Sequence, residues 1–134
     1  MTSRRCTVLE QGALELLRLN GYEVRIDSTG QNQQRPLAHL VASQKAGETR
    51  YIRIRKYTRR AVTPDQVERC CLRDILRFRS AMAREHRDPS IQYEIWLYTL
   101  SHGYRCFEIL PERIREIPRI PGKMAVRTHM GEAA

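Results

Sequence analysis

Apolar and polar positions alternate along the chain in two periods, which predicts a mixed α/β fold. Residues 6–20 carry apolar side chains at helical spacing and read as an amphipathic helix. Thr7 with Glu10 three residues later predicts a capping box at its start, and Asn20-Gly21 predicts its end. Strict alternation over residues 22–26 then predicts a first strand.

The next segment, Arg35 to Lys56, reads RPLAHLVASQKAGETRYIRIRK and predicts two short strands joined by a tight turn. Its second strand alternates between faces. Ile52 and Ile54 lie on one face, and Arg53 and Arg55 lie on the other. Two arginines are therefore expected on one side of a strand whose other side is apolar.

Residues 63–85 predict the longest helix, with Thr63 as the N-cap and Pro64 at the first helical position. Apolar spacing defines one stripe, and arginines four residues apart define another face. The stripe comprises Val67, Cys71, Ile75, Phe78 and Met82, widened by Leu72 and Leu76. The basic ridge comprises Arg69, Arg73 and Arg77. Asp65, Glu68 and Asp74 on the same helix are expected to pair with part of this ridge.

The remaining segments predict a hairpin of strands at 91–99 and 104–110, followed by a short helix over 111–117 that starts at Pro111. Residues 1–117 are expected to form a single domain. Residues 118–134 are expected to be a loose tail, which is also a candidate basic arm.

Composition points to a polyanion partner. The chain has 134 residues, a formal net charge of +9 and a pI of about 9.9. A basic excess of this size favours nucleic acid, while surface use of arginine is the alternative. No window approaches a membrane span and no signal-peptide core is visible, so a cytoplasmic protein without a membrane partner is expected.

The four cysteines, Cys6, Cys70, Cys71 and Cys106, contain no C-x-x-C pair. Adjacent cysteines are poorly spaced for a zinc knuckle, and a disulfide framework is unusual in the cytosol. Two of these cysteines fall within apolar patterns, so buried free thiols are expected, with no metal bound through them.

The Arg35 to Lys56 segment resembles the metal-binding hairpin of the PD-(D/E)XK nuclease fold, most closely that of the archaeal Holliday-junction resolvases. Those proteins typically read R-P-L-P-D-(apolar)-V-A, a turn, and then (apolar)-E-(apolar)-K. Here the two parts read RPLAHLVA over 35–42 and IRIR over 52–55. The resemblance implies a restriction-endonuclease-like αβββαβ core over roughly residues 6–110, a mixed sheet flanked by helices, and a homodimer.

The residues that define nuclease activity differ from that motif. The family's metal-ligand Asp falls on His39, its metal-ligand Glu on Arg53 and its Lys on Arg55. Mg²⁺ prefers oxygen ligands, and a guanidinium that cannot lose its proton repels it. Glu10 matches the family's helix Glu, but its role as a helix cap is favoured because the other metal ligands are lost. No intact catalytic set and no cofactor are expected.

Three hypotheses follow. The first is a catalytically inactive nuclease-like protein that binds DNA, including branched DNA, through a basic surface. Its candidate contacts are Ser28, Arg35, Arg53, Arg55, Lys56, Arg59, Arg60, Arg69, Arg73 and Arg77. The second is a divergent Mg²⁺-dependent endonuclease in which Glu68 replaces a lost carboxylate beside Glu10 and His39. The third is a protein-interaction subunit of a nuclease complex, with Arg53 in a structural ion pair.

Overall fold

The computed structural model describes residues 7–27, 36–45, 47–59, 62–84 and 88–120. Its elements, in chain order, are α1 (Val8–Leu19), β1 (Glu23–Ile26), β2 (Leu40–Ser43), β3 (Thr49–Tyr57), α2 (Pro64–Cys70), α3 (Leu72–Arg84), β4 (Ile91–Thr99), β5 (Gly103–Ile109) and β6 (Ile114–Ile117). No helix in these ranges is long and apolar enough to cross a membrane.

The six strands form one mixed sheet in the order β1-β2-β3-β4-β5-β6. Neighbours run antiparallel except β3 and β4, which are parallel over their whole length. The parallel pair needs a crossover, and α2 and α3 supply it. The predicted order of one helix, three strands, a helical segment and a further strand is confirmed.

Helices cover both faces of the sheet, and the core is divided accordingly. Helix α1 packs on one face against a cluster that includes Leu40, Ile52 and Trp96. Helices α2 and α3 pack on the other face against a cluster that includes Ile95 and Phe107. Successive strand side chains point to opposite faces, so β3 and β4 contribute to both clusters.

Local capping follows the sequence closely. The Thr7 hydroxyl accepts from the backbone N–H of Glu10 at 3.1 Å, and the Glu10 carboxylate accepts from the Thr7 N–H at 3.4 Å. Thr63 and Gln66 form the same reciprocal box at α2. Both predicted N-caps are therefore confirmed, and Glu10 has the capping role that was its alternative assignment.

The helix predicted over 63–85 is broken in the middle, which corrects that prediction. Cys71 has φ −121° and ψ 29°, outside the helical region, and it separates α2 from α3. The main stripe is still buried, but Leu72 and Leu76 are 47% and 54% exposed and do not widen it. Each follows a buried residue by one position, and a step of about 100° carries it off the buried face.

Residues 111–117 were predicted to be helical, and this is wrong. Leu110 N–H donates to the Arg113 carbonyl at 2.8 Å, so Pro111 and Glu112 form a two-residue turn. The chain then returns as β6 along β5. Proline favours the start of a turn as well as the start of a helix, and cross-strand pairing with β5 decides between them.

Several predictions fall outside the described residues: those on Cys6, Ser28, Arg35, Arg60 and the tail from 121 onward. Of the predicted tail, Ile120 packs beside the α1-side cluster.

Candidate functional site

The β2–β3 hairpin brings the motif positions together. Leu40 lies opposite Ile52, and the backbone N–H of His39 donates to the Ile52 carbonyl at 2.9 Å. The approach to β2 is fixed by Asp27, whose buried carboxylate accepts from the Ala38 N–H at 2.9 Å. His39 and Arg53 are therefore neighbours across the hairpin, although the His39 ring contacts Glu10 of α1 and the Arg53 side chain contacts Asp74 of α3.

His39 is held between β3 and the start of α1. Its Nδ1 accepts from the Ile54 backbone N–H at 2.8 Å, so the ring proton resides on Nε2. Nε2 lies 3.6 Å from the Glu10 carboxylate. With Nδ1 occupied and Nε2 protonated, neither nitrogen presents a lone pair to a metal ion.

Arg53 and Arg55 share one carboxylate from α3. Arg53 Nε donates to Asp74 Oδ1 at 3.0 Å. Arg55 donates to both oxygens, through Nε to Oδ2 at 2.8 Å and Nη2 to Oδ1 at 2.9 Å. We call Arg53, Arg55 and Asp74 the arginine clasp. Its short, partly bidentate contacts are the geometry in which guanidinium and carboxylate groups bind most strongly.

A backbone carbonyl completes the surroundings of the clasp. The Pro36 carbonyl accepts from Arg53 Nη1 at 3.4 Å and from Arg77 Nη1 at 3.1 Å. Arg77 therefore turns inward from the predicted basic ridge. Three guanidinium groups face one carboxylate here, which leaves the region positive even after pairing.

Burial and charge oppose each other in the clasp. Burial would raise the pKa of the Asp74 carboxyl, but Arg55 and Arg53 outweigh it and the pKa is lowered. Burial lowers the pKa of Arg53, which Asp74 counteracts only in part. Asp74 is therefore held ionised, and Arg53 depends on it as a buried counter-charge.

Magnesium, which the family resemblance implies, does not fit these residues. The two strand positions that would carry carboxylates hold His39 and Arg53, and the nearby carboxylate of Asp74 is bound by arginines. Within the described residues, no three His, Cys, Asp or Glu side chains converge to hold a metal. No metal-assisted step is derived for this site.

Glu68, the suggested substitute carboxylate, is placed elsewhere. It is half-exposed on α2 and pairs with Arg79 at 3.6 Å. The structure brings Glu10 and His39 together, but the helix carboxylate that reaches β3 is Asp74.

Four of the candidate phosphate contacts are exposed and have no ion pair with any described residue. They are Lys56, Arg59, Arg69 and Arg73, which we call the basic surface. Lys56 directly follows Arg55, and Arg73 directly precedes Asp74. The Arg55–Asp74 contact therefore joins the strand that carries Lys56 to the helix that carries Arg73. Lys56, as the next strand residue, points to the face opposite Arg55.

Asp74 is the functional residue that sequence reasoning missed. It was expected to pair with arginines on its own helix, whereas it pairs with β3 across the crossover. The available signal was the pair Arg53 and Arg55 on one face of a central strand, because buried guanidinium groups require a carboxylate nearby.

Similarity to known proteins is found among solved structures. No model of a protein family and no curated protein sequence matches the chain. Among solved structures, the chain is similar to Archaeoglobus fulgidus Hjc, a Holliday junction resolvase from an archaeal hyperthermophile. The two share 14% sequence identity with a TM-score of 0.48, over 83% of this chain and 86% of that chain.

Proposed function

We propose that this protein is a catalytically inactive, nuclease-like protein that binds DNA through its basic surface. The arginine clasp carries the proposal. The two positions at which the motif carries metal-binding carboxylates hold His39 and Arg53 here. Arg53 is bound to Asp74 together with Arg55, which stands at the motif's Lys position. Such an ion cluster stabilises the scaffold and leaves no ligand set for Mg²⁺.

The DNA-binding part rests on charge and exposure. Lys56, Arg59, Arg69 and Arg73 are exposed and have no carboxylate partner among the described residues. The chain as a whole carries +9. Phosphate contacts of this kind release counterions and make binding independent of sequence but steeply dependent on salt.

The candidate contacts do not all contribute equally in this proposal. Arg53 is buried in the clasp and Arg77 is bound to the Pro36 carbonyl, so both act by holding the scaffold. Arg55 is 44% exposed while bound to Asp74, so part of its side chain is open to a phosphate. Ser28, Arg35 and Arg60 stay predictions on sequence grounds.

The test is a salt titration of binding to a labelled four-way junction and to a matched linear duplex, with and without Mg²⁺ or Mn²⁺. We expect salt-sensitive binding and intact DNA under every condition. Metal-dependent cleavage that disappears in Glu68→Gln would instead support the divergent endonuclease. Absence of binding at low salt would remove the proposed function.

Variants locate the contact surface. Removal of one phosphate-binding side chain reduces the slope of log K against log salt by about 0.9 for duplex DNA. Replacing both Arg59 and Arg60 with Ala should therefore flatten the slope by about two units, as should replacing both Arg69 and Arg73. Arg25→Ala, an exposed change on β1, is the matched control and should leave the slope unchanged.

A second candidate function is supported by a separate observation. Leu72 and Leu76 are exposed one helical turn apart on α3, beside Arg69 and Arg73. An apolar pair on an exposed helix face suits a protein partner, either a second copy or another subunit of a nuclease complex. Sedimentation equilibrium of the chain and of a Leu72→Ser, Leu76→Ser variant distinguishes these, because only a homodimer through this face dissociates on substitution.

A further inference from the structure

We propose that Cys70 and Cys71 form a dithiol site that low-molecular-weight disulfides oxidise to a bond between the two adjacent residues. The Sγ atoms lie 3.3 Å apart, and both thiols are free. Cys70 is exposed, while Cys71 is buried beneath it at 5% exposure. The inference is independent of DNA binding.

The break between α2 and α3 creates this proximity. In a regular helix, successive side chains point about 100° apart, which separates neighbouring sulfurs. Cys70 ends α2, and Cys71 leaves the helical region with φ −121° and ψ 29°. The junction therefore turns the two thiols toward each other. The third described cysteine, Cys106, is buried in the α1-side cluster on the opposite face of the sheet and is not a competing partner.

The two thiols differ in their access to solutes. Burial raises the pKa of the Cys71 thiol, and the neighbouring Cys70 and Asp74 raise it further. The buried thiol is therefore a poor nucleophile toward solutes, whereas Cys70 is open to them. Cys70 is the attacking group, and Cys71 is the resolving group held within reach.

The reaction balances with oxidised glutathione as the oxidant. The Cys70 thiolate attacks one glutathione sulfur, and the first glutathione thiolate leaves. Cys71 then loses its proton and attacks the Cys70 sulfur of the mixed disulfide, which releases the second glutathione. Two cysteine thiols are oxidised by two electrons, and one glutathione disulfide is reduced to two thiols.

The product is expected to be readily reversible. Cα atoms joined by a trans peptide are about 3.8 Å apart, below the range of about 4.4 to 6.8 Å usual for disulfides. Strained disulfides are the more easily reduced, labile class. The site therefore has the properties of a reversible modification site and not of a structural crosslink.

The chain offers a direct assay, because trypsin cleaves after Arg69 and Arg73 and releases Cys70-Cys71-Leu72-Arg73. The folded full-length protein is incubated with oxidised glutathione, denatured, alkylated and digested. We expect this tetrapeptide to lose two hydrogens and to resist alkylation. Excess reduced glutathione should restore both alkylation sites.

Two variants complete the test. Cys70→Ser is exposed and keeps the fold, and it should leave Cys71 free for alkylation after denaturation. Cys106→Ser should leave the two-hydrogen loss unchanged. A tetrapeptide alkylated on both cysteines, or a stable glutathione adduct on Cys70 beside a free Cys71, would overturn the proposal. So would a bond that disappears in Cys106→Ser.

Discussion

Asp74 is the single side chain on which the candidate site depends. It accepts hydrogen bonds from both Arg53 and Arg55, and Arg53 is almost fully buried. Removing one partner of a buried ion pair leaves an uncompensated charge, which typically costs about 3 to 5 kcal/mol. We expect Asp74→Asn to lower the free energy of unfolding by about that amount at pH 7, measured by urea denaturation.

Two further variants separate the effect of the arginine clasp from the effect of losing any carboxylate or any arginine. Arg53→Met should cost less than Asp74→Asn, because Asp74 then keeps both hydrogen bonds from Arg55. Asp65→Asn changes an exposed carboxylate in the first turn of α2. It should alter the free energy of unfolding by no more than about 1 kcal/mol. Because the pKa of Asp74 is lowered in the folded protein, its contribution is present above the ordinary Asp value and is lost as the pH falls through the folded one. An equal loss in the Asp65 variant would show that the clasp has no special role.

Glu94 is a buried acid whose pKa is raised, whereas the pKa of Asp74 is lowered. Burial raises its pKa to about 7, although Arg50 and the Trp96 indole N–H, which donates at 2.9 Å, act to lower it. Its Oε2 has no hydrogen-bond partner among the described residues. The unfolded chain ionises Glu94 near pH 4.5 while the folded chain keeps it protonated. Its contribution to stability is therefore present at low pH and lost as the pH rises toward 7.

Glu94→Gln should remove this pH dependence. The free energy of unfolding of the variant, relative to that of the wild type, should rise by on the order of 2 to 3 kcal/mol from pH 5 to pH 8. Each pKa unit corresponds to about 1.4 kcal/mol. The measurement is urea denaturation at both pH values. Glu112→Gln, an exposed change in the β5–β6 turn, should show no such gain. A parallel offset at both pH values would mean that Glu94 is ionised throughout.

At the scale of elements, the packing of α1 on β5 favours glycine at position 12, although alanine is usually preferred inside a helix. Alanine is favoured over glycine inside a helix by about 1 kcal/mol. A Cβ on Gly12, however, would lie 2.6 Å from the Tyr104 hydroxyl, which itself donates to the Leu9 carbonyl at 2.5 Å. Overpacking typically costs about 1 to 3 kcal/mol. We therefore expect Gly12→Ala to lower the melting temperature.

The hydroxyl can be removed to check that cause. In a Tyr104→Phe background the nearest remaining ring carbon would lie 3.6 Å from the new Cβ, an ordinary contact distance. Gly12→Ala should then be neutral or stabilising by up to about 1 kcal/mol. If the substitution destabilises both backgrounds equally, the hydroxyl contact is not the reason for glycine.

Elements with a strong local pattern could be predicted from the sequence. Elements whose conformation depends on pairing with a neighbouring strand could not. The caps at Thr7 and Thr63, the two-faced β3 strand and the β4–β5 hairpin follow from spacing of a few residues. Strand β6 could not be predicted, because Pro111 suits a turn and a helix start equally. Its choice depends on β5, where Arg115 lies opposite Glu108 and pairs with it at 2.8 Å.

At the scale of the molecule, the part of the site that lies within one hairpin could be predicted, and the part that a distant helix contributes could not. The motif in the hairpin predicted that His39, Arg53 and Arg55 replace the metal-binding residues, because those positions are close in sequence. The counter-charge comes from Asp74, beyond the crossover that α2 and α3 form. Local spacing places Asp74 on a helix surface, and only the tertiary fold turns it toward β3.

The shared sheet also predicts how the molecule unfolds. Trp96 is the chain's one tryptophan and lies fully buried in the α1-side cluster, while the neighbouring Ile95 and Leu97 belong to the opposite cluster. Because β3 and β4 carry both clusters, neither helical layer should unfold alone. We expect urea curves from Trp96 fluorescence and from far-ultraviolet circular dichroism to coincide.

Substitutions in the core on each face of the sheet test whether the two helical layers unfold together. Leu17 and Ile75 are fully buried on opposite faces of the sheet, and replacing either with Ala should cost about 2 to 5 kcal/mol. In a cooperative molecule, each variant shifts both curves by the same amount. If Leu17→Ala moves the fluorescence curve and leaves most of the helical signal in place, α1 is a separate unit. The clasp and the basic surface would then belong to a scaffold that is stable without it.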